Sequence, residues 1–189
     1  MTTLPDLSPA APVPAGEAED LATSAWDLTL ETLPDRDLDH DELRALACAV
    51  AARPERWRHH LAFDADNRVY VSLHRDAHVD VWLLCWTPEN DTGWHDHDVS
   101  AGAVAVVTGE LVENNLTLLH GARERQVRAG EVFSFGPEHI HRLNGAVHGS
   151  VSVHAYSPPL WRMGQYAVDD DGVLSRVSLS YADELRPIS

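Results

Sequence analysis

From residue 68 onward, apolar and polar residues alternate with a period of two along much of the chain. In the first such segment Val69 and Val71 fall on one face, while Tyr70 and His74 fall on the other. Alternation of this kind is typical of β-strands with one buried face. Segments in the same style, separated by turns that contain glycine or proline, occupy residues 79–86, 103–107, 111–119, 127–135 and 149–156. Many short strands without intervening helices predict a mainly β fold, either a sandwich or a small barrel.

The chain ahead of these strands has a different character. Residues 1–18 are rich in proline, alanine and acidic residues, a composition that cannot support periodic burial. Apolar residues then recur at helical spacing over residues 20–32 and 39–52; Asp39 or Asp41 would cap the second helix, and Pro54 would end it. We therefore expect three parts: a disordered lead-in at 1–18, short N-terminal helices packed on the barrel within 19–62, and the barrel with a C-terminal extension over 63–189.

Charge and composition exclude several classes of function. The chain has 14 Lys and Arg residues against 30 Asp and Glu, a formal charge of −16. A field of this sign repels phosphate backbones and anionic lipids, so we expect neither nucleic-acid nor membrane binding. No stretch approaches a membrane span, no basic region precedes an apolar run at the start, and Cys48 and Cys85 do not indicate a disulfide framework. These features predict a cytoplasmic protein that acts on a small molecule. They do not indicate its oligomeric state.

Histidines form the most informative motif. His95 and His97 flank Asp96, and on an extended segment their side chains point to one face. A strand and a proline turn further along lead to His139 and His141, either of which could return a third imidazole across a barrel. Three neutral imidazoles form a facial set for a divalent metal and leave coordination positions open. The pattern predicts a metal site.

A second polar motif lies near residue 150. Ser152, His154 and Tyr156 share one face of a predicted strand, and Val153 and Ala155 take the other. Three hydrogen-bonding side chains on the inward face of a barrel would be costly unless they satisfied one another. We therefore expect a Ser–His–Tyr relay that fixes the imidazole tautomer.

Together these motifs resemble the cysteine dioxygenase family of thiol dioxygenases, within the cupin superfamily, and its bacterial-type members in particular. The resemblance covers roughly residues 70–159. It depends on the order and spacing of four pieces, which are Leu84-Cys85-Trp86, His95-Asp96-His97, His141-Arg142 with Asn144, and Ser152-x-His154-x-Tyr156-Ser157-Pro158-Pro159.

The resemblance implies a small cupin-type β-barrel, or jelly roll, that holds non-haem Fe(II) on His95, His97 and His141. It also implies that the relay of Ser152, His154 and Tyr156 lies beside the metal. In the implied reaction O2 oxidises a small thiol to its sulfinate, and L-cysteine is the first candidate for that thiol. Mammalian-type members carry a cysteine, crosslinked to the tyrosine, at the position of Gly102, so Tyr156 is expected to remain an unmodified phenol.

Three alternatives stay open. The substrate could be 3-mercaptopropionate or another mercapto acid, handled by relatives with the same iron site. Three histidines also suit a zinc or manganese hydrolase or isomerase. The third alternative is a non-catalytic, ligand-binding metal cupin.

The anchor for a substrate carboxylate is where the chain departs from the family. Members that bind cysteine carry an arginine two residues after the tyrosine that matches Tyr70, and here Ser72 takes that place. Arg68 and His74 share the parity of Tyr70, whereas Arg75 would need a β-bulge to face the site. The candidate substrate-binding residues are therefore Tyr70, Arg68, His74 and Arg162.

Overall fold

The computed structural model describes residues 28–117, 121–168 and 174–180. Helix α1 spans His40–Ala51, α2 spans Pro54–Trp57, and a 3-10 turn follows at Arg58–His60. Eleven strands complete the described part of the chain: β1 Val69–Arg75, β2 Asp80–Trp86, β3 Trp94–Asp96, β4 Ala101–Thr108, β5 Glu110–Thr117, β6 Gly121–Arg128, β7 Val132–Phe135, β8 His141–Gly145, β9 Ser150–Ser157, β10 Arg162–Val168 and β11 Leu174–Ser180. Among these residues no helix is long and apolar enough to cross a membrane.

The strands form two antiparallel sheets. One has the order β1-β2-β9-β4-β7, and the other has the order β11-β10-β3-β8-β5-β6. The mainly β architecture expected from the alternating pattern is confirmed. Two apolar clusters hold it together: one lies between α1 and the five-stranded sheet, and the other lies between the sheets.

Helix α1 begins where the sequence predicts. The Asp39 carboxylate accepts a hydrogen bond from the Glu42 backbone N–H at 2.9 Å, and the Glu42 carboxylate accepts one from the Asp39 N–H at 3.0 Å. This reciprocal pair satisfies two backbone donors that a helix start leaves without partners. Leu43 and Leu46 have no exposed surface, and each such burial contributes about 1.5–3 kcal/mol.

Two expected segments differ in the structure. In the segment predicted as a helix at 20–32, the described residues form a turn closed by a hydrogen bond from Thr32 N–H to the Thr29 carbonyl. Residues 20–27 of that segment and the lead-in at 1–18 lie outside the described residues. The predicted strand at 127–135 is the end of β6, a turn and then β7. Gly130 has a φ of +92° in that turn, a backbone conformation that breaks a strand and favours glycine.

Candidate metal centre

The short strand β3 carries the histidine pair. Gly93, with a φ of +67°, turns the chain into β3, and His97 follows its last residue. The rings of His95 and His97 lie 4.8 Å apart between centroids, on the face that points into the barrel. Both side chains are buried.

A third imidazole reaches them from the neighbouring strand. His141 begins β8 and stands directly opposite His95 in the antiparallel register. Its ring centroid lies 4.6 Å from that of His95 and 5.1 Å from that of His97. One nitrogen from each of the three rings falls within 4.8 Å of the other two. The structure therefore brings together the three histidines singled out in the sequence, and their donor set could hold a metal ion.

The hydrogen bonds around these rings leave nitrogens turned inward. His95 Nδ1 lies 3.1 Å from the Gly93 carbonyl oxygen, to which it donates, so its Nε2 keeps a lone pair. His141 Nε2 and both ring nitrogens of His97 are buried without a hydrogen-bond partner among the described residues. Buried polar atoms are rarely left in this state, and metal ligation would satisfy them.

Glu113 orients the third histidine. Its carboxylate oxygen lies 2.8 Å from His141 Nδ1, which leaves the Nε2 lone pair available to a metal. The same oxygen lies 2.9 Å from His139 Nε2, and Arg125 pairs with the other carboxylate oxygen. A carboxylate that accepts from a ligating imidazole fixes its tautomer and raises its basicity.

Glu113, His139 and His141 also lie close enough to hold an ion. That second grouping is a weaker candidate, because Arg125 already neutralises the carboxylate and repels a cation. It would also use His141 Nδ1, the atom engaged with Glu113. His139 is therefore a hydrogen-bond partner of Glu113 rather than a member of the inward-facing set.

Burial keeps the histidines neutral. Removal from water lowers the pKa of His95 and His97 well below the ordinary value, and each imidazole is further disfavoured as a cation by its neighbours. Burial also lowers the pKa of His141, although Glu113 opposes the shift. Neutral imidazoles are the form that binds a metal.

Asp96 anchors the strand between its two histidines. Because side chains alternate along β3, its carboxylate points away from the imidazoles, where it accepts hydrogen bonds from Arg176 Nε at 2.7 Å and from the Tyr166 hydroxyl at 2.6 Å. The Gly164 backbone N–H donates to it at 3.0 Å. These contacts come from β10 and β11, so the C-terminal hairpin holds the strand that carries His95 and His97.

The polar face of β9 forms the expected relay. Ser152 Oγ lies 2.8 Å from His154 Nε2, and His154 Nδ1 lies 3.1 Å from the Tyr156 hydroxyl. Trp86 on β2 adds a fourth member, because its indole Nε1–H donates to Ser152 Oγ at 2.9 Å. Burial lowers the pKa of His154 to about 3, so this imidazole is also neutral.

A cavity opens beside His95, His154 and Tyr156. Its wall is mainly apolar and includes Tyr70, Trp82, Leu84, Leu143, Leu160 and Met163. Among the described residues Arg68 is the one arginine or lysine in that wall, and its guanidinium also donates to the Asp91 carbonyl at 3.2 Å. The structure therefore brings Arg68 and Tyr70 to the same space as the relay.

The other two candidate substrate residues do not line this cavity. A β-bulge between Ser72 and His74 turns His74 to the opposite face, where it bonds Asp76 at 2.9 Å. Arg162 is 63% exposed and pairs with Asp98 at 3.2 Å.

The bulge also brings Arg75 to the cavity side of β1, opposite Asp80. There the Arg75 guanidinium pairs with the buried Asp80 carboxylate at 3.1 Å.

Gly102 lies opposite Tyr156 in the register of β4 and β9. A side-chain carbon built on Gly102 would come within 2.5 Å of the Phe135 ring and 3.0 Å of the Tyr156 ring. Phe135 fills the space in which a larger residue would meet the tyrosine, consistent with an unmodified phenol at Tyr156.

The sequence interpretation missed three residues around the site: Glu113, Asp96 as an anchor, and Trp86 as a relay member. Glu113 lies 28 residues from His141 along the chain and is joined to it only by the pairing of β5 with β8. The one available signal was the Leu84-Cys85-Trp86 piece of the resemblance, which marks Trp86 without giving its role.

Solved structures similar to this chain include cupin and double-stranded β-helix proteins. An RmlC-like cupin protein from Desulfovibrio desulfuricans is 16% identical over 52% of this chain and 90% of its own, with a TM-score of 0.46. An uncharacterised protein with a double-stranded β-helix domain from Klebsiella pneumoniae is 11% identical over 63% of this chain and 91% of its own, with a TM-score of 0.47. A match to an oxalate oxidase, at 23% identity and a TM-score of 0.38, covers 41% of each chain, so this chain spans less than half of that one.

A family model describes more of the chain. The model for cysteine dioxygenase type I matches residues 23–168, which include both sheets up to β10 and all the residues of the candidate centre. The chain belongs to the cysteine dioxygenase type I family.

Proposed function

We propose that this protein is an iron-dependent thiol dioxygenase that converts L-cysteine to cysteine sulfinate. The observation that carries the proposal is the cluster of three neutral imidazoles, one of which, His95, lines a cavity that also holds Tyr156 and Arg68. In the overall reaction R–SH and O2 give R–SO2H. Both oxygen atoms end on sulfur, which loses four electrons to O2, so no further reductant is needed.

His95, His97 and His141 would hold the iron. The donor set fits a divalent ion, because His97 and His141 keep buried ring nitrogens with no other partner among the described residues. Each neutral imidazole offers one lone pair to a metal. When bound, Fe(II) would supply the redox chemistry by which O2 oxidises the thiol sulfur. An all-imidazole set adds no negative charge, which favours binding of an anionic thiolate near the site.

Arg68 would bind the substrate carboxylate. It lines the cavity with His95 and Tyr156, and a guanidinium can donate two parallel hydrogen bonds to a carboxylate. Arg75 is less suited, since its guanidinium is already paired with the Asp80 carboxylate and donates to the Leu160 carbonyl at 3.3 Å. Tyr70, whose ring packs edge-on against Trp82 at 5.7 Å, would form the wall beside the carboxylate.

Tyr156 would hold a proton at the cavity. Its hydroxyl is 3.1 Å from His154 Nδ1, and the ring lies against His97 at 5.2 Å between centroids. A phenol in this place can donate a hydrogen bond to an oxygen atom of the reacting molecule. The apolar side chains around it exclude water, so the hydrogen bond counts for more than it would in solution.

The direct test loads the full chain with Fe(II) without oxygen, then measures oxygen uptake and product mass with L-cysteine. We expect one sulfinate formed for each O2 consumed, and none with the same chain loaded with zinc. A chain that holds stoichiometric iron but shows no thiol-dependent oxygen uptake would overturn the proposal in favour of a ligand-binding cupin. Conversion of substrate without oxygen uptake, in the chain loaded with zinc or manganese, would instead indicate a hydrolase or isomerase.

One observation favours a second substrate, 3-mercaptopropionate. Among the described residues that line the cavity, none carries a carboxylate that would pair with the ammonium group of cysteine. A mercapto acid without that group would bind with no ammonium to desolvate. The ratio of kcat/KM for the two acids decides between them.

The role of Arg68 has a matched test. Arg68→Gln should raise KM for both acids, by about tenfold or more, since it removes a charged hydrogen-bonded pair of about 1.5–3 kcal/mol. Cysteamine, which lacks the carboxylate, should be used equally well by both forms. An equal loss with cysteamine would show that Arg68 does not act on the carboxylate.

A further inference from the structure

Arg142 follows His141 on β8 and, because side chains alternate along a strand, faces away from the histidine cluster. On that side its guanidinium pairs with Asp91, with Arg142 Nε 2.6 Å from the Asp91 Oδ2 atom. The other carboxylate oxygen accepts from the Gly93 backbone N–H at 2.7 Å, and the Asn144 side chain adds a further hydrogen bond. The Asp91 carboxylate is therefore held on the outer side of β8, in the loop that leads into β3.

Asp91 also contacts Arg68, but through its backbone. Arg68 Nη1 donates to the Asp91 carbonyl at 3.2 Å, and Arg68 lines the cavity beside His95 and Tyr156. Within an aspartate the carbonyl and the carboxylate are separated only by Cα and Cβ. A guanidinium bonded to one of them therefore lies within a small side-chain rotation of the other. Two arginines share this one residue: Arg142 takes the carboxylate and Arg68 takes the carbonyl.

Without Arg142, the Asp91 carboxylate would compete for Arg68. A carboxylate attracts a guanidinium more strongly than a neutral carbonyl does, and it can accept two parallel hydrogen bonds. Burial acts to raise the pKa of Asp91, but hydrogen bonds led by those from Arg142 lower it overall, so the group is charged at neutral pH. The backbone and amide donors that also reach this carboxylate are neutral, so they cannot cancel its charge as Arg142 does.

We propose that Arg142 is a positioning residue for substrate binding, which keeps Asp91 from pairing with Arg68. With Asp91 neutralised on the outer side of β8, the Arg68 guanidinium stays in the cavity wall and can bind the carboxylate of a mercapto acid. This consequence for the substrate depends on the proposed function, in which Arg68 binds that carboxylate. The pairing of Asp91 with Arg142 does not depend on it.

The first test is a crystal structure of metal-free Arg142→Met, which keeps a side chain of similar length and removes the charge. The Arg142 side chain is 41% exposed, so the variant should fold. We expect the Arg68 guanidinium to leave the Asp91 carbonyl and pair with the Asp91 carboxylate. A guanidinium that stays on the carbonyl would overturn the proposal, whatever the binding measurements give.

The consequence for the substrate is measured by titration calorimetry on the zinc-loaded chain, where thiol binding needs no turnover. Arg142→Met should weaken binding of 3-mercaptopropionate by roughly threefold to fivefold, the range of a partly exposed ion pair. Binding of cysteamine, which has no carboxylate, should not weaken. Adding Asp91→Asn should restore the affinity for the acid, since no carboxylate is then left to capture Arg68. An equal loss with cysteamine, or no recovery in the double variant, would overturn the proposal.

Two further variants separate this role from a general one. Arg142→Lys keeps the charge beside Asp91 and should bind the acid nearly as well as the wild type; a loss equal to that of Arg142→Met would contradict the charge argument. Arg128→Met is the matched control, because Arg128 pairs with Glu110 at 3.1 Å and does not line the cavity. It should leave both thiols unaffected, and a loss there would indicate an effect of net charge.

The two tests also distinguish this proposal from the proposed function. If Arg142→Met moves Arg68 onto the Asp91 carboxylate without weakening the binding of the acid, the role of Arg142 in holding Asp91 is supported. The same result would contradict the role of Arg68 as the anchor of the substrate carboxylate.

Discussion

Strand β9 presents two different surfaces to the two halves of the molecule. Towards α1 it presents Val151, Val153 and Ala155, which pack in an apolar cluster with Leu43 and Leu46. Towards the barrel interior it presents Ser152, His154 and Tyr156, which are equally buried but polar. The first surface is stabilised by contact alone, whereas the second needs specific partners for its nitrogen and oxygen atoms. The apolar face of β9 therefore stabilises the fold, whereas the polar face lowers stability unless each of its buried polar atoms has a partner.

Among the variants considered, replacement of His97 should have the largest effect on the polar surface of the barrel interior. In His97→Leu we expect complete loss of stoichiometric iron and of thiol-dependent oxygen uptake. The metal-free variant should be at least as stable as the wild type, because the imidazole has two buried nitrogens without partners and leucine has none. Metal analysis and thermal unfolding measure the two effects. Retained iron would remove His97 from the ligand set.

The opposite result is expected on the helix side. Leu46→Ala opens a space in the apolar cluster and should cost about 2–5 kcal/mol of unfolding free energy. The metal affinity of the folded variant should not change. Denaturant unfolding and a metal titration test this, and a parallel fall in metal affinity would show that the two surfaces are coupled.

Glu113 lies between these extremes, since it contacts a proposed ligand, His141, and is not itself in the proposed ligand set. Glu113→Gln keeps the size of the side chain but removes the charge opposite His141, and it should weaken metal affinity by about 10–100-fold. Glu110→Gln is the control, because Glu110 lies on the same strand and pairs with the exposed Arg128. Equal losses in both variants would point to a general effect of charge rather than to the contact with His141.

The two surfaces should also differ in how acid affects their contribution to the free energy of unfolding. The pKa of His154 is lowered to about 3 in the folded chain, so between that value and about 6.5 the unfolded chain binds a proton that the folded chain does not. Stability contributed by the neutral imidazole is therefore present near neutral pH and is lost as pH falls through this window. In metal-free His154→Gln the slope of unfolding free energy against pH should be shallower by up to about 1.4 kcal/mol per unit. Identical slopes would mean that His154 is not held neutral.

The smallest effect is expected at the start of α1. Asp39→Ala removes half of the reciprocal cap and should cost about 1 kcal/mol, measured by denaturant unfolding. Iron content and turnover should be unchanged. A loss of activity beyond the loss of folded protein would contradict a purely structural role for the cap.

Some of this architecture follows from the sequence because one face of a strand is buried. Alternation predicted β2 and β9, and the spacing of His95 and His97 placed both on one side of an extended segment. Strands β6 and β11 escaped because their described side chains are mostly exposed, so no apolar period marks them. The bulge that exchanges His74 for Arg75 on the cavity face likewise leaves no mark in the alternating pattern.

Contacts between distant strands were the harder part of the site to predict. Glu113 stands in a polar run, Glu113-Asn114-Asn115, that suits an exposed strand, and only the register of β5 with β8 turns it towards His141. From the sequence alone, Trp86 is expected to be an ordinary core residue, because its apolar rings account for its burial. Its single N–H leaves no signature in the sequence. Both residues act through hydrogen bonds that a one-dimensional pattern does not contain.

The pairing of β3 between β8 and β10 has a consequence for how the protein is made. Strand β3 leaves the ribosome before β10, which completes its pairing, and before β11, which carries the arginine that holds Asp96. A nascent or prematurely ended chain without β10 and β11 would present His95 and His97 on a strand secured from one side only. The histidine cluster is therefore held from both sides only after β10 and β11 have been made, so a chain that stops before them should bind metal more weakly.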